Sequence, residues 1–447
     1  MRVAGDPVVL KTLARLRRAD PAAARLAQAG LNDLLAEGGL ADLTQHDLQS
    51  YLWFTLPEDD ESPLTAAALA RFFELAELER YAGIAESEAT RDVLRTYAER
   101  GRAAGLRAAT RAMEASGIVP PDLPELDWGE TMGPAEAAAY DSIATTLELA
   151  LATGDLKPGA RGWRVTQARL TRIQLTMARH GGPPFIDRIR AERLELWAGH
   201  GGQARRALAS ATLGNVTTQP GVPSDVADRM APMQWLLELA NGRPGDTPGV
   251  PLTVTGNLAR RVVQEAAERF NWWDLPQRPP RSESDMWRLT VLRTVLTSAG
   301  ALRRVGRKLL LGTRGRGLLG NPLAQWQTAT EHLLAQAGFD AAAQEAALLL
   351  LLQAGGMVEM RELIAEVADV LAGSGWRDTG NGSPPDDQDV SRAVWAFVRR
   401  CELWSLVDSG RGPGWSSRLR LSPAGHLAGY AALRHQALRA RAGSEGE

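Results

Sequence analysis

Apolar residues in the first third of the chain recur at spacings of three and four, the period of one buried face of an α-helix. The period is clear over residues 10–26, returns over 69–78, and continues over 87–115. Glycine and prolines at 117–121 then end the helical pattern. The sequence therefore predicts a helical N-terminal domain over residues 1–130.

A different pattern follows a helix that we expect to begin at Pro134, since proline is favoured in the first helical turn. Residues 154–166 alternate short apolar stretches with a Pro/Gly turn, which is typical of two short strands. We assign residues 131–240 to a helical region with a candidate wing-like hairpin. The segment 241–251 is rich in proline and glycine, and it predicts a linker between domains.

One order of elements recurs along the chain. A helix ends, a short apolar segment and a turn rich in glycine or arginine follow, and a second short strand runs into Thr or Ser. The three segments are 156–166, 301–313 and 404–422. Their last residues, Thr166, Thr313 and Ser422, suit the N-cap of a following helix, because the side-chain oxygen accepts a backbone N–H there.

Helices followed by a two-stranded wing make up the winged helix-turn-helix plan. The segments LLLGTRG at 309–315 and LRLSPAG at 419–425 resemble the wing endings of many bacterial winged-helix proteins. With LTVTGNL at 252–258, they also resemble a group of uncharacterised proteins from high-GC bacteria. The resemblance implies two winged-helix-like modules, residues 252–337 and 338–438. We thus expect a mainly α (α+β) fold, with a helical N-terminal region followed by tandem winged-helix-like modules.

Helix starts can be placed within these modules. We expect Thr255 to cap a first helix, and Ser282 with Asp285 to begin a second in a capping-box arrangement. In the last module, Asp389 is the expected cap of a helix that ends at Cys401. The lone cysteine is interpreted as a small buried residue, because nothing nearby in the sequence would activate its thiol.

The helix expected over 283–298 occupies the position of a recognition helix. Its inward residues are Leu289, Leu292, Val295 and Leu296. Arg288 and Arg293 lie largely off this apolar stripe, and we expect them near base edges if the module binds DNA.

Composition limits the classes of protein that remain. The chain has 447 residues, 44% of them hydrophobic, and a formal net charge of -2, which excludes a disordered tail protein. A single cysteine excludes a disulfide scaffold. Apolar runs are too short for a membrane span, and the first residues lack the apolar core of a secretory signal. We expect a cytoplasmic protein with no membrane partner.

Basic residues concentrate in one part of the chain. Lysine is rare and arginine abundant, which reflects a GC-rich coding sequence before it reflects binding. Residues 260–316 nevertheless carry a local excess of basic over acidic side chains. Six cations with no acid between them lie in the second wing: Arg303, Arg304, Arg307, Lys308, Arg314 and Arg316. Such a cluster favours phosphate contacts, although a solvated loop in an arginine-rich protein explains it equally well.

Catalytic motifs are not found. The sequence has no zinc-ligand spacing, P-loop or G-x-S-x-G elbow, and the pairs Asp59/Asp60 and Asp386/Asp387 lie in loops where solvated carboxylates are expected. No cofactor or metal is implied, and an enzyme with its site between domains ranks third.

We expect a non-enzymatic DNA-binding protein that uses the basic wing and the recognition-type helix. The alternative is a protein-interaction scaffold, with self-association or a protein partner. Residues 348–352 and the Trp272/Trp273 pair would then mark interfaces.

Overall fold

The computed structural model describes residues 6–35, 39–59, 61–178, 181–242, 248–273, 278–378, 380, 382–411 and 417–440. Helices hold 67% of the described residues, and the strands of the described part form two small antiparallel sheets. The predicted mainly α class with α+β character is confirmed. Two compact units divide the chain: residues 190–439 form the second unit, and the rest belong to the first.

The first unit is helical in its described residues. Its helices are α1 (Pro7–Ala19), α2 (Pro21–Leu34), α3 (Gln45–Ser50), α4 (Ser62–Leu75), α5 (Glu79–Ala85), α6 (Glu88–Arg100), α7 (Arg102–Ser116), α8 (Pro134–Thr153) and α9 (Trp163–Thr176). The division between the units falls within α10 (Phe185–Gly199).

Capping chemistry explains where the first helices begin. The Asp6 carboxylate accepts from the Val8 N–H at 2.8 Å, and Asp20 accepts from the Ala23 N–H at 3.0 Å. A proline follows each of these caps in the first helical turn, where its missing N–H costs nothing. The apolar period of 87–115 is divided between α6 and α7, because Gly101 takes a positive φ of 77° between them.

The hairpin predicted over 154–166 is wrong. Residues 154–162 form turns, and α9 begins at Trp163, so Thr166 lies inside a helix rather than at its cap. Leu156, the apolar residue of the expected strand, is buried in a helical core with Ile143 and Leu147. A Pro/Gly turn alone could not specify strands here.

Both sheets lie in the second unit. Its elements are α11 (Gln203–Thr217), α12 (Val226–Asn241), β1 (Val250–Pro251), α13 (Arg260–Phe270), α14 (Trp287–Ser298), β2 (Leu302–Val305), β3 (Lys308–Leu311), α15 (Thr313–Leu318), α16 (Pro322–Glu331), α17 (Gly338–Gln353), β4 (Val358–Glu359), α18 (Met360–Gly373), α19 (Asp387–Leu403), β5 (Val407–Arg411), β6 (Ser417–Leu421) and α20 (Pro423–Leu438).

Two modules of this unit repeat one order of elements. Helix α12, strand β1, helices α13 and α14 and the hairpin β2–β3 form the first module. Helix α17, strand β4, helices α18 and α19 and the hairpin β5–β6 form the second. In each sheet the short first strand pairs antiparallel with the last strand of the hairpin, giving the orders β1-β3-β2 and β4-β6-β5.

Strand β1 lies in the segment 241–251, which was predicted to be a linker. Val250 pairs with Leu309 and Pro251 pairs with Lys308, so the end of that segment belongs to the sheet of the first module. Its residues 243–247 lie outside the described part of the chain, as do Asp60 and the turn residues 412–414. The whole segment falls within the second compact unit.

Local capping predictions are confirmed at some helix starts and wrong at others. Ser282 and Asp285 form a capping box ahead of α14, and the Ser422 hydroxyl caps α20 by accepting from the Gly425 N–H at 3.1 Å. Thr255 does not cap α13, which begins after Ala259, because residues 253–257 form a separate turn. Asp386 rather than Asp389 caps α19.

The residues that marked interfaces in the scaffold hypothesis are used inside the fold. Leu348, Leu349 and Leu351 on α17 are buried in the core of the second unit. Trp272 packs against Phe270 with ring centroids 4.9 Å apart, and Trp273 donates from its indole to the Arg278 carbonyl at 2.8 Å.

A buried charged pair crosses the core of the second unit. Glu345 on α17 accepts from Arg205 on α11 at 2.5 Å and from the Trp197 indole at 2.7 Å. Gln436 on α20 donates to its second oxygen at 3.3 Å. The carboxylate thereby joins helices from distant parts of the sequence.

Candidate functional site

The hairpin β2–β3 presents most of the cations of the predicted basic wing. Val305 pairs with Lys308 across the turn, and Gly306 takes a positive φ of 57° there, a conformation that favours glycine. Leu302, Leu309 and Leu311 anchor the strands in the core, whereas residues 303–307 are exposed. The hairpin therefore projects its basic residues outward from an apolar base.

Three arginines of this region are available to a ligand. Arg303 lies on β2, Arg307 lies in the turn, and Arg316 lies on α15, and all three are exposed. Within the described part of the chain, none of these guanidinium groups meets a carboxylate or another hydrogen-bond acceptor. Exposed cations without counter-charges are well suited to attract an anion.

Two further cations of the hairpin are held by backbone carbonyls. Arg304 donates from Nε to the Gly306 carbonyl at 3.1 Å, and its guanidinium lies so close to Gly256 that a Cβ there would be 3.1 Å from Nη1. The Lys308 ammonium lies 3.5 Å from the Pro248 carbonyl oxygen. A carbonyl oxygen is neutral, so these contacts supply no counter-charge to either cation.

Arg314 is neutralised within the fold. Its guanidinium forms an ion pair with Glu331 at 2.5 Å, which connects α15 to the end of α16. The six cations of the predicted wing therefore fall into three groups: unpaired, carbonyl-bound and paired with a carboxylate.

The two arginines expected near base edges, Arg288 and Arg293, lie on α14 and contact other residues of the fold. Arg293 forms an ion pair with Glu283 at 2.9 Å and donates to the Gly256 carbonyl at 2.7 Å. Arg288 lies over the ring of Trp287, 4.8 Å from its centroid. Helix α14 itself packs against α19, which covers part of the surface that a recognition helix needs.

A loop next to the hairpin was not selected from the sequence. The Leu252 N–H donates to the Arg307 carbonyl at 2.8 Å, so the turn 253–257 emerges beside the hairpin. Val254 in this turn is 82% exposed, and Val305 at the end of β2 is 45% exposed. Two exposed valines among arginines give the region an apolar contact area as well as a charge. The sequence signal that could have identified this turn is Val254, an apolar residue between Thr253 and Thr255.

The loop is anchored by Glu283, which is almost completely buried. Its carboxylate accepts from the Leu258 N–H at 2.8 Å and pairs with Arg293. Burial raises the pKa of this carboxyl, and the backbone N–H of Leu258 and the charge of Arg293 oppose that rise only in part.

Other chemistry is sparse in the described part of the chain. No group of three or more His, Cys, Asp or Glu side chains there could hold a metal ion. Cys401 is buried on α19, as expected, and burial raises the pKa of its thiol. Asp386 is used as a helix cap. Among the helices described, none combines the length and the apolar character that crossing a membrane requires.

Comparison with known family models gives a match to part of the chain. Residues 230–324 match the family described as the Y4jL N-terminal domain, which is an uncharacterised family. The match begins in α12, includes the hairpin and ends in α16. No curated protein and no solved structure matches the chain.

Proposed function

We propose that the two repeated modules of the second unit are winged-helix modules. The support is their shared topology: a helix, a short strand, two helices and a hairpin whose last strand pairs with the first strand. In this interpretation α14 and α19 occupy the recognition position, and β2–β3 and β5–β6 are the wings.

The first of these modules is proposed to bind duplex DNA without catalysis, through the phosphate backbone. The observation that carries this proposal is the presence of three exposed arginines that have no carboxylate partner among the described residues: Arg303, Arg307 and Arg316. A guanidinium donates two parallel hydrogen bonds to phosphate oxygens, and each contact releases counterions from the duplex. Arg304 and Lys308 add charge to the same hairpin.

Phosphate contact rather than base reading is the mode that the geometry favours. Arg293 is occupied by Glu283, Arg288 lies on Trp287, and α14 packs against α19. Phosphate contacts position a protein on the duplex and carry no sequence information. Binding should therefore depend strongly on salt and weakly on DNA sequence. The same proposal places the protein in the cytoplasm of a bacterial cell, with the DNA.

The test is fluorescence anisotropy of the full chain with a labelled random duplex across a range of salt concentrations. The variant R303A/R307A/R316A is compared with R91A/R107A/R111A, which removes three exposed arginines from α6 and α7 of the first unit. Each lost phosphate contact should reduce the slope of log affinity against log salt by about 0.9. The hairpin variant should lose up to about 2.7, whereas the control variant should keep the wild-type slope.

A folded hairpin variant with unchanged affinity and slope would reject the proposal. The scaffold alternative has less support, because the leucines of α17 and the Trp272/Trp273 pair pack within the second unit. Light scattering after size exclusion tests it directly, since a scaffold that self-associates gives a mass above that of one chain.

A further inference from the structure

A second surface of this unit combines aromatic rings with cations. Between α14 and α19 lies a cleft of about 580 Å³. Its walls are Trp287, Arg392, Trp395, Ala396, Arg399 and Glu402. Trp395 also lines two neighbouring cavities, one shared with Glu402 and β6 and the other with α18.

Three polar groups of this cleft have no partner among the described residues. In the described chain, the indole N–H groups of Trp287 and Trp395 and the carboxylate of Glu402 make no hydrogen bond or ion pair. Glu402 is only half-exposed, and burial raises the pKa of its carboxyl while the nearby Arg288 and Arg399 oppose that rise. A half-buried carboxylate without a donor is an acceptor that a ligand could satisfy.

Arginine side chains lie beside these rings, and one of them has no counter-charge among the described residues. Arg399 is exposed and has no carboxylate partner in the described residues. Arg288 stacks on the Trp287 ring, and Arg392 pairs with Asp389 at 3.2 Å and with Asp340 at 3.5 Å. The cleft thus offers flat apolar surfaces, a cation for an anionic group and one acceptor for a ring-edge donor.

We propose that this cleft binds a nucleotide whose base is unpaired, with the base against Trp287 and Trp395 and its phosphate at Arg399. Aromatic platforms beside basic side chains are how proteins hold single strands, since every base has a face that can stack. Glu402 accepts a hydrogen bond from an exocyclic amino group, as carboxylates do from N4 of cytosine. The carboxylates of an acidic peptide would pair with the arginines, but the Glu402 carboxylate would repel them.

The cleft and the hairpin are separate surfaces. Trp287 is the first residue of α14, and the hairpin follows the last residue of that helix. The 12 residues of α14 span about 18 Å. The proposal for the cleft therefore does not depend on duplex binding by the hairpin, and either can fail alone.

Anisotropy of the full chain with a labelled oligodeoxycytidine tests the cleft. The variant W287L/W395L removes both rings, and W287F/W395F keeps an aromatic face at each position. We expect the Leu variant to bind at least about fivefold more weakly for each stacked base that is lost, and the Phe variant to recover much of that loss. A strand of abasic sites should bind wild type as weakly as the Leu variant binds oligodeoxycytidine.

Two further arms identify the ligand. The substitution E402L removes the acceptor and should lower the preference for oligodeoxycytidine over oligothymidine, because thymine has no exocyclic amino group whose contact could be lost. Free cytidine monophosphate that binds as tightly as the oligonucleotide would assign the cleft to a free nucleotide, and weaker binding would assign it to a strand.

Equal affinity of wild type for abasic and cytidine strands would overturn the proposal, even if the Leu variant failed to fold. So would a folded Leu variant, checked by circular dichroism, that binds like wild type. Duplex binding by R303A/R307A/R316A is measured in parallel, because its loss tests the hairpin and leaves the cleft unaffected.

Discussion

The Arg293 guanidinium on α14 lies 2.9 Å from the carboxylate of Glu283, a side chain that is only 1% exposed. The same arginine donates to the Gly256 carbonyl, and the same carboxylate accepts from the Leu258 N–H. One charged pair therefore fixes the loop 252–258, which lies beside the basic hairpin. Arg293 stabilises the surface that presents the hairpin, and its side chain is not available to read a base.

We expect R293A to lower the free energy of unfolding of the second unit by about 3 kcal/mol. The substitution leaves a buried carboxylate without its cation, which is the costly way to break such a pair. Chemical denaturation measures the loss, and R293A/E283Q should restore part of it, since an amide oxygen still accepts from Leu258. If R293A is as stable as wild type but changes the base preference of DNA binding, Arg293 reads bases and does not stabilise the fold.

The raised pKa of Glu283 gives a pH dependence with a defined sign. Because its pKa in the folded protein is above the ordinary value of 4.5, the folded state binds this proton more tightly than the unfolded chain does. The stability associated with that proton is fully present below 4.5 and is lost as the pH rises through the raised pKa. Wild type should therefore lose stability relative to E283Q over this range, as measured by denaturation at successive pH values. A difference that stays constant would contradict the shift.

Local signals in the sequence predicted much of the second unit. The hairpin at β2–β3 follows from short apolar runs around a glycine turn, and the starts at Ser282 and Ser422 follow from side chains that accept nearby N–H groups. The inward face of α14 follows from its apolar spacing, and all four expected residues are buried. These features depend on residues within a few positions of one another.

Features that depend on distant partners were not predictable. The segment 154–166 resembles a hairpin, but a strand needs a neighbour to complete its ladder, and its apolar residue is used in a helical core instead. Arg293 lies off the apolar stripe, as expected, yet it is held by Gly256, 37 residues earlier in the chain. Off-stripe position predicts exposure only when no long-range partner is present.

The carboxylate of Glu345 should be essential for the stability of the second unit. We expect E345A to cost about 3 to 5 kcal/mol, because the buried Arg205 loses its counter-charge and the Trp197 indole loses its acceptor. The conservative E345Q keeps an acceptor for the indole and should cost less. Thermal unfolding ranks the variants, and equal stability of wild type and E345A would show that the pair makes no net contribution.

Cys401 provides a probe of opening in the last module. The thiol is 1% exposed on α19, and burial raises its pKa, so the reactive thiolate is scarce in the folded protein. A disulfide reagent such as DTNB should react slowly with native protein and rapidly, with one equivalent per chain, after denaturation. Rapid reaction under native conditions would mean that α19 opens frequently or that the thiol is accessible.

The turn of the basic hairpin depends on glycine for its backbone and not for space. Gly306 has a φ of 57°, and an added Cβ would meet nothing within 4 Å. We expect G306A to destabilise the hairpin by about 1 kcal/mol, because a left-handed conformation is strained for alanine. The control is G317A on α15, where φ is not positive and the added methyl also meets nothing, so it should stabilise that helix slightly. Amide exchange in β2 and β3 should become about fivefold faster in G306A and should not change in G317A. Equal exchange in both variants would mean that the turn tolerates alanine and that the strands alone hold the hairpin.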